Sequence, residues 1–149
     1  MHLAERGFAV TAVEPDPMQV GSLRTCATDR GLALEIAQAS VAEYETTATF
    51  DLVLCLMVLT FLPDDQVEPA VRKLQRLTAP GGFNLISGHT TANPPGTRPH
   101  LFAPEELREL YAGWEIQRYD IGYSAWYFRP DEPEPIRVPR VLMLARKPR

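Results

Sequence analysis

Phe50-Asp51-Leu52-Val53-Leu54-Cys55-Leu56 is the stretch that decides the fold. Leu52 through Leu56 are apolar without alternation, as in a parallel strand covered on both faces. Such a strand is expected in the middle of its sheet. Downstream, residues 64–78 form a helix pattern: Asp64-Asp65 at the positive end, then Val67, Val71, Leu74 and Leu77/Thr78 along one stripe, with Pro69 expected near the first turn. Pro80-Gly81-Gly82 breaks the chain, and residues 83–87 read as another strand. A loop follows over 88–103 with Pro94, Pro95 and Pro99. Pro104, Glu105 and Glu106 then start a short helix to about residue 111, and residues 114–119 and 140–145 read as strands around a stiff loop holding Pro130, Pro133 and Pro135.

Upstream the alternation continues. Residues 8–13 are a β-compatible run, entered through Gly7 after the helical fragment Leu3-Ala4-Glu5-Arg6. Asp16 before Pro17 is a helix start, because Asp accepts free amide hydrogens and Pro at the first helical position loses no bond. The helix is expected over 17–30 with Val20, Leu23 and Ala27 inward and Gly31 ending it in a left-handed conformation. Residues 34–39 read as the next strand. Strands alternating with helices define an α/β fold, expected as a single domain over 1–149.

Composition narrows the function. Fifteen Lys+Arg against nineteen Asp+Glu give a net charge of −4. With no long run of one sign, this argues against a nucleic-acid or anionic-membrane surface. The thirteen-residue stretch 50–62, broken by Asp51 and Thr60, falls short of the ~20 apolar residues needed to cross a bilayer. Charge near Met1 sits where a secretion signal needs its apolar run, so the expected location is cytoplasmic. Cys26 and Cys55 form no CxxC and have no neighbouring His, which suggests small core residues rather than a disulfide or zinc site.

In open α/β sheets ligands sit beyond the carboxyl ends of the strands. Glu14 ends the first strand, where a carboxylate can accept from both hydroxyls of a ribose; it can equally be a solvated turn acid in the series Glu14-Pro15-Asp16-Pro17. Ser40 and Val41 follow the second strand, placed either to meet an adenine or as plain loop residues. Cys55, Leu56 and Met57 close the decisive strand and can line a cofactor or simply fill the core. His89, just past the 83–87 strand, is the candidate general base, with an exposed loop histidine as the alternative. Arg98 can hold an anionic acceptor or be a surface arginine. Tyr119, Tyr123, Trp126, Tyr127 and Phe128 can line a pocket or pack under the proline loop. His2 and His100 show no spacing that suggests a metal site.

Leu3-Ala4-x-x-Gly7, Val13-Glu14-Pro15-Asp16, Phe50 to Leu54, Phe61-Leu62 and Ala79-Pro80-Gly81-Gly82-Phe83-Asn84-Leu85-Ile86, in that order, resemble a class I S-adenosylmethionine-dependent methyltransferase. Glu106-Leu107-x-x-x-Tyr111-x-Gly113-Trp114-Glu115 and Met143-Leu144-Ala145-Arg146-Lys147 are similar to the tellurite-resistance (TehB-type) branch. The resemblance implies a Rossmann-like sheet, mostly parallel with an antiparallel C-terminal strand. It implies S-adenosylmethionine as cofactor, with Glu14 and Pro15 at the ribose, Ser40 and Val41 at the adenine, and Cys55, Leu56 and Met57 on the methionine side. The implied acceptor is a small molecule, tellurite- or selenite-like or another soft nucleophile. Ser40 stands where many relatives carry Asp, and Tyr127-Phe128 where a His-Arg pair is expected.

Only thirteen residues precede Glu14, whereas a nucleotide-binding glycine turn is expected about 20 residues ahead of such an acid. The sheet is therefore expected to be incomplete at the N-terminus, and strands 8–13 and 50–56 each want a hydrogen-bonding neighbour. They can pair with each other, with a partner chain in a homo-oligomer, or with residues ahead of Met1 in a longer polypeptide, the last favoured because Met1 falls within a helix. A non-catalytic remnant of the fold that binds a partner is the alternative to an enzyme. A nicotinamide oxidoreductase shares the ribose carboxylate but leaves Pro80-Gly81-Gly82 unexplained.

Overall fold

The computed structural model describes residues 1–124 and 137–149 of the chain. Trp126, Tyr127, Phe128, Pro130, Pro133 and Pro135 lie outside the described residues. The chain divides into two compact units, Met1–Thr46 and Thr47–Arg149.

The first unit holds α1 (His2–Glu5), β1 (Thr11–Val13), α2 (Pro17–Asp29) and β2 (Glu35–Ala37). β1 and β2 are parallel, with Thr11 opposite Glu35 and Val13 opposite Ala37. Asp16 caps α2 as its chemistry dictates: Oδ1 accepts the Met18 N–H at 2.8 Å. Gly31 has φ +62°, the left-handed stop expected of it. Val20 and Ala27 are buried, and Leu23 of the same stripe is half-buried.

The second unit holds β3 (Phe50–Leu56), a 3-10 turn (Leu59–Phe61), α3 (Asp64–Leu77), β4 (Thr78–His89), α4 (Glu106–Leu110), β5 (Glu115–Tyr123) and β6 (Pro139–Arg146). Its sheet has the order β3-β4-β6-β5. β3 and β4 are parallel, and β6 is antiparallel to both β4 and β5. Three strands thus share one direction and the C-terminal strand opposes them. Val67, Ala70, Val71 and Leu74 of α3 are buried, as are Cys55, Ile86, Met143 and Ala145 of the sheet. On that face Asn84 Nδ2 donates to the Tyr111 hydroxyl at 2.8 Å, and Thr78 Oγ1 lies 2.5 Å from Asn84 Oδ1, so the polar groups among this apolar packing are paired.

Four expectations are corrected. β3 is an edge strand of its four-stranded sheet, not a central one: β4 is its only ladder neighbour among the described residues. Leu52, Leu54 and Leu56 are 41%, 46% and 47% exposed, whereas on the other face Val53 is half-buried and Cys55 buried. β1 and β3 belong to separate sheets, so the two do not pair with each other. Pro80-Gly81-Gly82 does not end a strand. The ladder passes from the Phe50–Thr78 pair to the Leu52–Phe83 pair, so the extra residues bulge from β4, with Gly81 at φ +78°. A Cβ at Gly82 would fall 2.9 Å from the Ala79 oxygen, which explains the second glycine. Pro69 lies inside α3 rather than near its first turn, since the helix already starts at Asp64.

Candidate functional site

Glu14 continues β1 by one residue. Its N–H donates to the Ala37 carbonyl at 3.1 Å, and its own carbonyl accepts from Ala39 N–H at 3.2 Å. The side chain is half-buried, and Oε1 accepts the Asp16 N–H at 2.9 Å. A carboxylate has about four lone-pair sites, so one backbone bond fixes its direction and leaves acceptors free for a diol. Pro15 is exposed between them.

Ser40 opens a turn as a capping box. Its N–H and its hydroxyl both donate to Glu43 Oε2, at 3.0 and 2.7 Å, and Glu43 N–H returns to Ser40 Oγ at 3.3 Å. These bonds lower the Glu43 carboxyl pKa. The serine's single proton is spent on Glu43, so towards a ligand Oγ can act only as an acceptor, which is the role an adenine amino group requires. Val41 follows, half-buried, in the same turn.

In the second unit Cys55 is 4% exposed opposite Ile86, and burial pushes its thiol up to about 12. Its side chain is packed in the core. Leu56 points to the open side. Met57 has φ +63°, unlike every other non-glycine residue described. A left-handed conformation costs an L-residue ~1–2 kcal/mol. It is held by Met57 N–H donating to Ser87 O at 2.9 Å and Thr60 Oγ1 donating to Met57 O at 3.2 Å. No sequence signal marks Met for this conformation. Strain of this kind is characteristic of functional turns.

His89 is the last residue of β4, opposite Arg140, and 8% exposed. It is neither in the loop nor exposed, because the strand runs two residues further than expected. Arg98 is half-buried, with its guanidinium carbon 5.1 Å from the centre of the Phe61 ring. Nη1 donates to Thr97 O at 2.6 Å, while Nε is buried without a hydrogen-bond partner among the described residues. Sequence reasoning missed His100, which is buried beside Asp64 and Glu106; a contact across 36 residues leaves no local signature.

An open depression of about 270 Å³ lies elsewhere, between Asp51 at the amino end of β3 and Pro80, Gly81, Gly82, Phe83, Arg146 and Arg149. Leu56, Met57 and His89 sit at the opposite, carboxyl ends of their strands. The strand-end rule favours those ends as the place for chemistry. No helix among the described residues is long and apolar enough to cross a membrane.

Similarity to solved structures defines the class first. The crystal structure of TehB from Haemophilus influenzae superposes with a TM-score of 0.87 at 25% identity, over 98% of this chain and 52% of that one. The fold is the Rossmann-like fold of the S-adenosylmethionine-dependent methyltransferases. Residues 1–132 match the tellurite resistance protein TehB family, and the chain belongs to that family. It is similar to the probable S-adenosyl-L-methionine-dependent methyltransferase TehB of H. influenzae strain 10810, at 25% identity over 99% of this chain and 52% of the relative. It is also similar to hemagglutinin 1 of Eikenella corrodens, at 30% identity over 99% of this chain and 50% of the relative. The chain spans about half the length of these curated relatives.

Proposed function

We propose that the protein transfers a methyl group from S-adenosylmethionine to a small-molecule acceptor, a tellurite- or selenite-like oxyanion or another soft nucleophile. The observation that carries this reading is Glu14: a carboxylate at the carboxyl end of a parallel strand, steered by one backbone bond and otherwise free to accept. In the first unit Glu14 takes the ribose hydroxyls, Pro15 stiffens the turn beside them, Ser40 accepts from the adenine amino group and Val41 covers the ring. In the second unit Leu56 and Met57 face the methionine side, and Cys55 contributes through backbone position alone. S-Adenosylmethionine, when bound, supplies an electrophilic methyl carbon on a sulfonium. Transfer is an in-line displacement: the acceptor's lone pair forms the new bond to carbon as the carbon–sulfur bond breaks. The chain's task is alignment. Arg98 holds an anionic acceptor, and His89 takes a proton from an acceptor that carries one.

Calorimetry with S-adenosylhomocysteine tests the reading. The wild-type chain is expected to bind in the micromolar range. Glu14→Ala removes charge-assisted bonds worth about 1.5–3 kcal/mol, a loss of roughly 10–100-fold. Equal affinity in the two proteins, or none in the wild type, overturns it.

A further inference from the structure

The glycine bulge of β4 gathers two guanidinium groups. Arg146 stands opposite Phe83 in the β4–β6 ladder, and its guanidinium carbon lies 5.6 Å from the centre of the Phe83 ring. Its Nε donates to the Gly81 carbonyl at 3.1 Å, which fixes the plane of the fork and leaves both Nη groups available as donors. Gly81, at φ +78°, has no side chain, and Arg149 lies against it. A Cβ there would come 3.5 Å from Arg149 Cγ, 3.6 Å from Arg149 Nε and 3.9 Å from Arg146 Nη2. Two cations thus converge on one backbone position. That position is held in turn: Gly81 N–H donates to Lys147 O at 3.1 Å, and Lys147 N–H donates to Gly82 O at 2.8 Å.

Like charges brought together repel, and among the described residues neither arginine forms an ion pair that offsets the repulsion. Glu115, opposite Arg146 on β5, accepts from Gln117 Nε2 at 3.4 Å. Lys147 adds no free donor, because its Nζ is spent on the Gln75 and Thr78 carbonyls at 2.8 and 2.7 Å. Asp51 lines the same depression and is exposed, so two guanidiniums face one carboxylate there. The depression, about 270 Å³ and open to solvent, falls just below the about 300–1,000 Å³ of drug-sized sites. Its size suits a small anion, and guanidinium forks match the oxygens of phosphate two at a time.

We propose that the depression binds a phosphate-class dianion, phosphate itself or the phosphoryl group of a small ester, between Arg146 and Arg149 over Gly81. The proposal is independent of the methyl-transfer reading. Asp51 and the glycine bulge lie at the amino end of β3, and none of these residues is assigned to cofactor or acceptor.

Two-dimensional ¹H–¹⁵N NMR on the full chain tests it, with inorganic phosphate in one titration and glycerol 3-phosphate in another. Both are run at about pH 8, where phosphoryl groups are mostly dianionic, with ionic strength held constant by sodium chloride. Saturable shifts are expected at the Gly81 and Gly82 amides and the Arg146 Nε–H, with low-millimolar Kd. Tighter binding of the ester identifies the larger ligand, and equal binding the bare anion. Arg149 is exposed, so Arg149→Gln leaves the core intact and is expected to weaken binding about 5-fold, the scale of one exposed charge pair. Arg149→Lys, which keeps the charge but not the fork, should fall between the two. Asp51→Asn removes the opposing charge and is expected to tighten binding about 2-fold. Shifts that fail to saturate, shifts centred on Arg98, an unchanged Kd in Arg149→Gln, or binding no tighter in Asp51→Asn each overturn the proposal.

Discussion

The two units place their candidate groups by different means. Met1–Thr46 contains a two-stranded sheet with three residues per strand and buries Val20 and Ala27. Thr47–Arg149 contains four strands and buries fourteen apolar side chains among the described residues. Two-stranded sheets are marginal in water. Glu14 and Ser40 are accordingly fixed by ladder and turn hydrogen bonds, whereas His89 and the Arg98 loop are fixed by a packed core. Positioning in the first unit is local, and in the second it is global. The difference makes their responses to mutation separable.

The largest expected effect is in the second unit. Phe102 is fully buried against Gly88, where even a Cβ would come within 2.4 Å of the ring. Phe102→Ala should cost about 3–5 kcal/mol in urea unfolding, against about 1–2 kcal/mol for Val20→Ala in the first unit. Equal costs would break the comparison.

A smaller and pH-dependent effect separates the two thiols. Burial pushes Cys55 up to about 12 from an ordinary value of 9.0, and burial also raises Tyr111 in the same core. Both groups are held neutral by the fold. Their contribution is fully present below the unfolded pKa values and is lost as pH rises through the folded ones, so the urea midpoint should decline from about pH 9 upward. Cys55→Ala should flatten the lower part of that decline. At about pH 8 a thiol reagent should modify Cys26, half-buried in α2, while Cys55 reacts at least ~100-fold more slowly, limited by opening of the core. Similar rates for the two would place Cys55 outside a rigid core.

What was legible in the sequence follows the same division. Short-range chemistry could be read directly. The Asp16-Pro17 cap, the Gly31 stop, the 50–56 strand and the α3 stripe are where residue type and spacing put them, because each depends on neighbours within a turn or two. The edge position of β3 could not, since an unbroken apolar run says that both faces suit burial and not which face a helix covers. The Met57 turn leaves no sequence signal because its bonds to the Ser87 carbonyl and from the Thr60 hydroxyl override the residue's own preference. The place of His89 inside the strand is not legible because β4 outruns its apolar core into Gly88, which admits the Phe102 ring. The His100 contacts need residues 64, 100 and 106 brought together by tertiary packing, and no spacing rule encodes that.

The smallest effect is the sharpest test of the local-versus-global distinction. Asp16 does two things at once: its carboxylate caps α2 through Met18 N–H, and its backbone N–H steers Glu14. Asp16→Ala removes the first and keeps the second. The cap is worth ~1 kcal/mol, so protection of the α2 amides against exchange should fall by about 5-fold. Protection in β4 and β6 should stay as it was, because their opening is governed by the second unit's core. S-Adenosylhomocysteine affinity, if Glu14 is steered by the backbone alone, should hold within about twofold of wild type. Should affinity fall in step with α2 protection, the Glu14 carboxylate is positioned by the helix and not by the turn, and the first unit would then act as one cooperative body in which local bonds have no independent role.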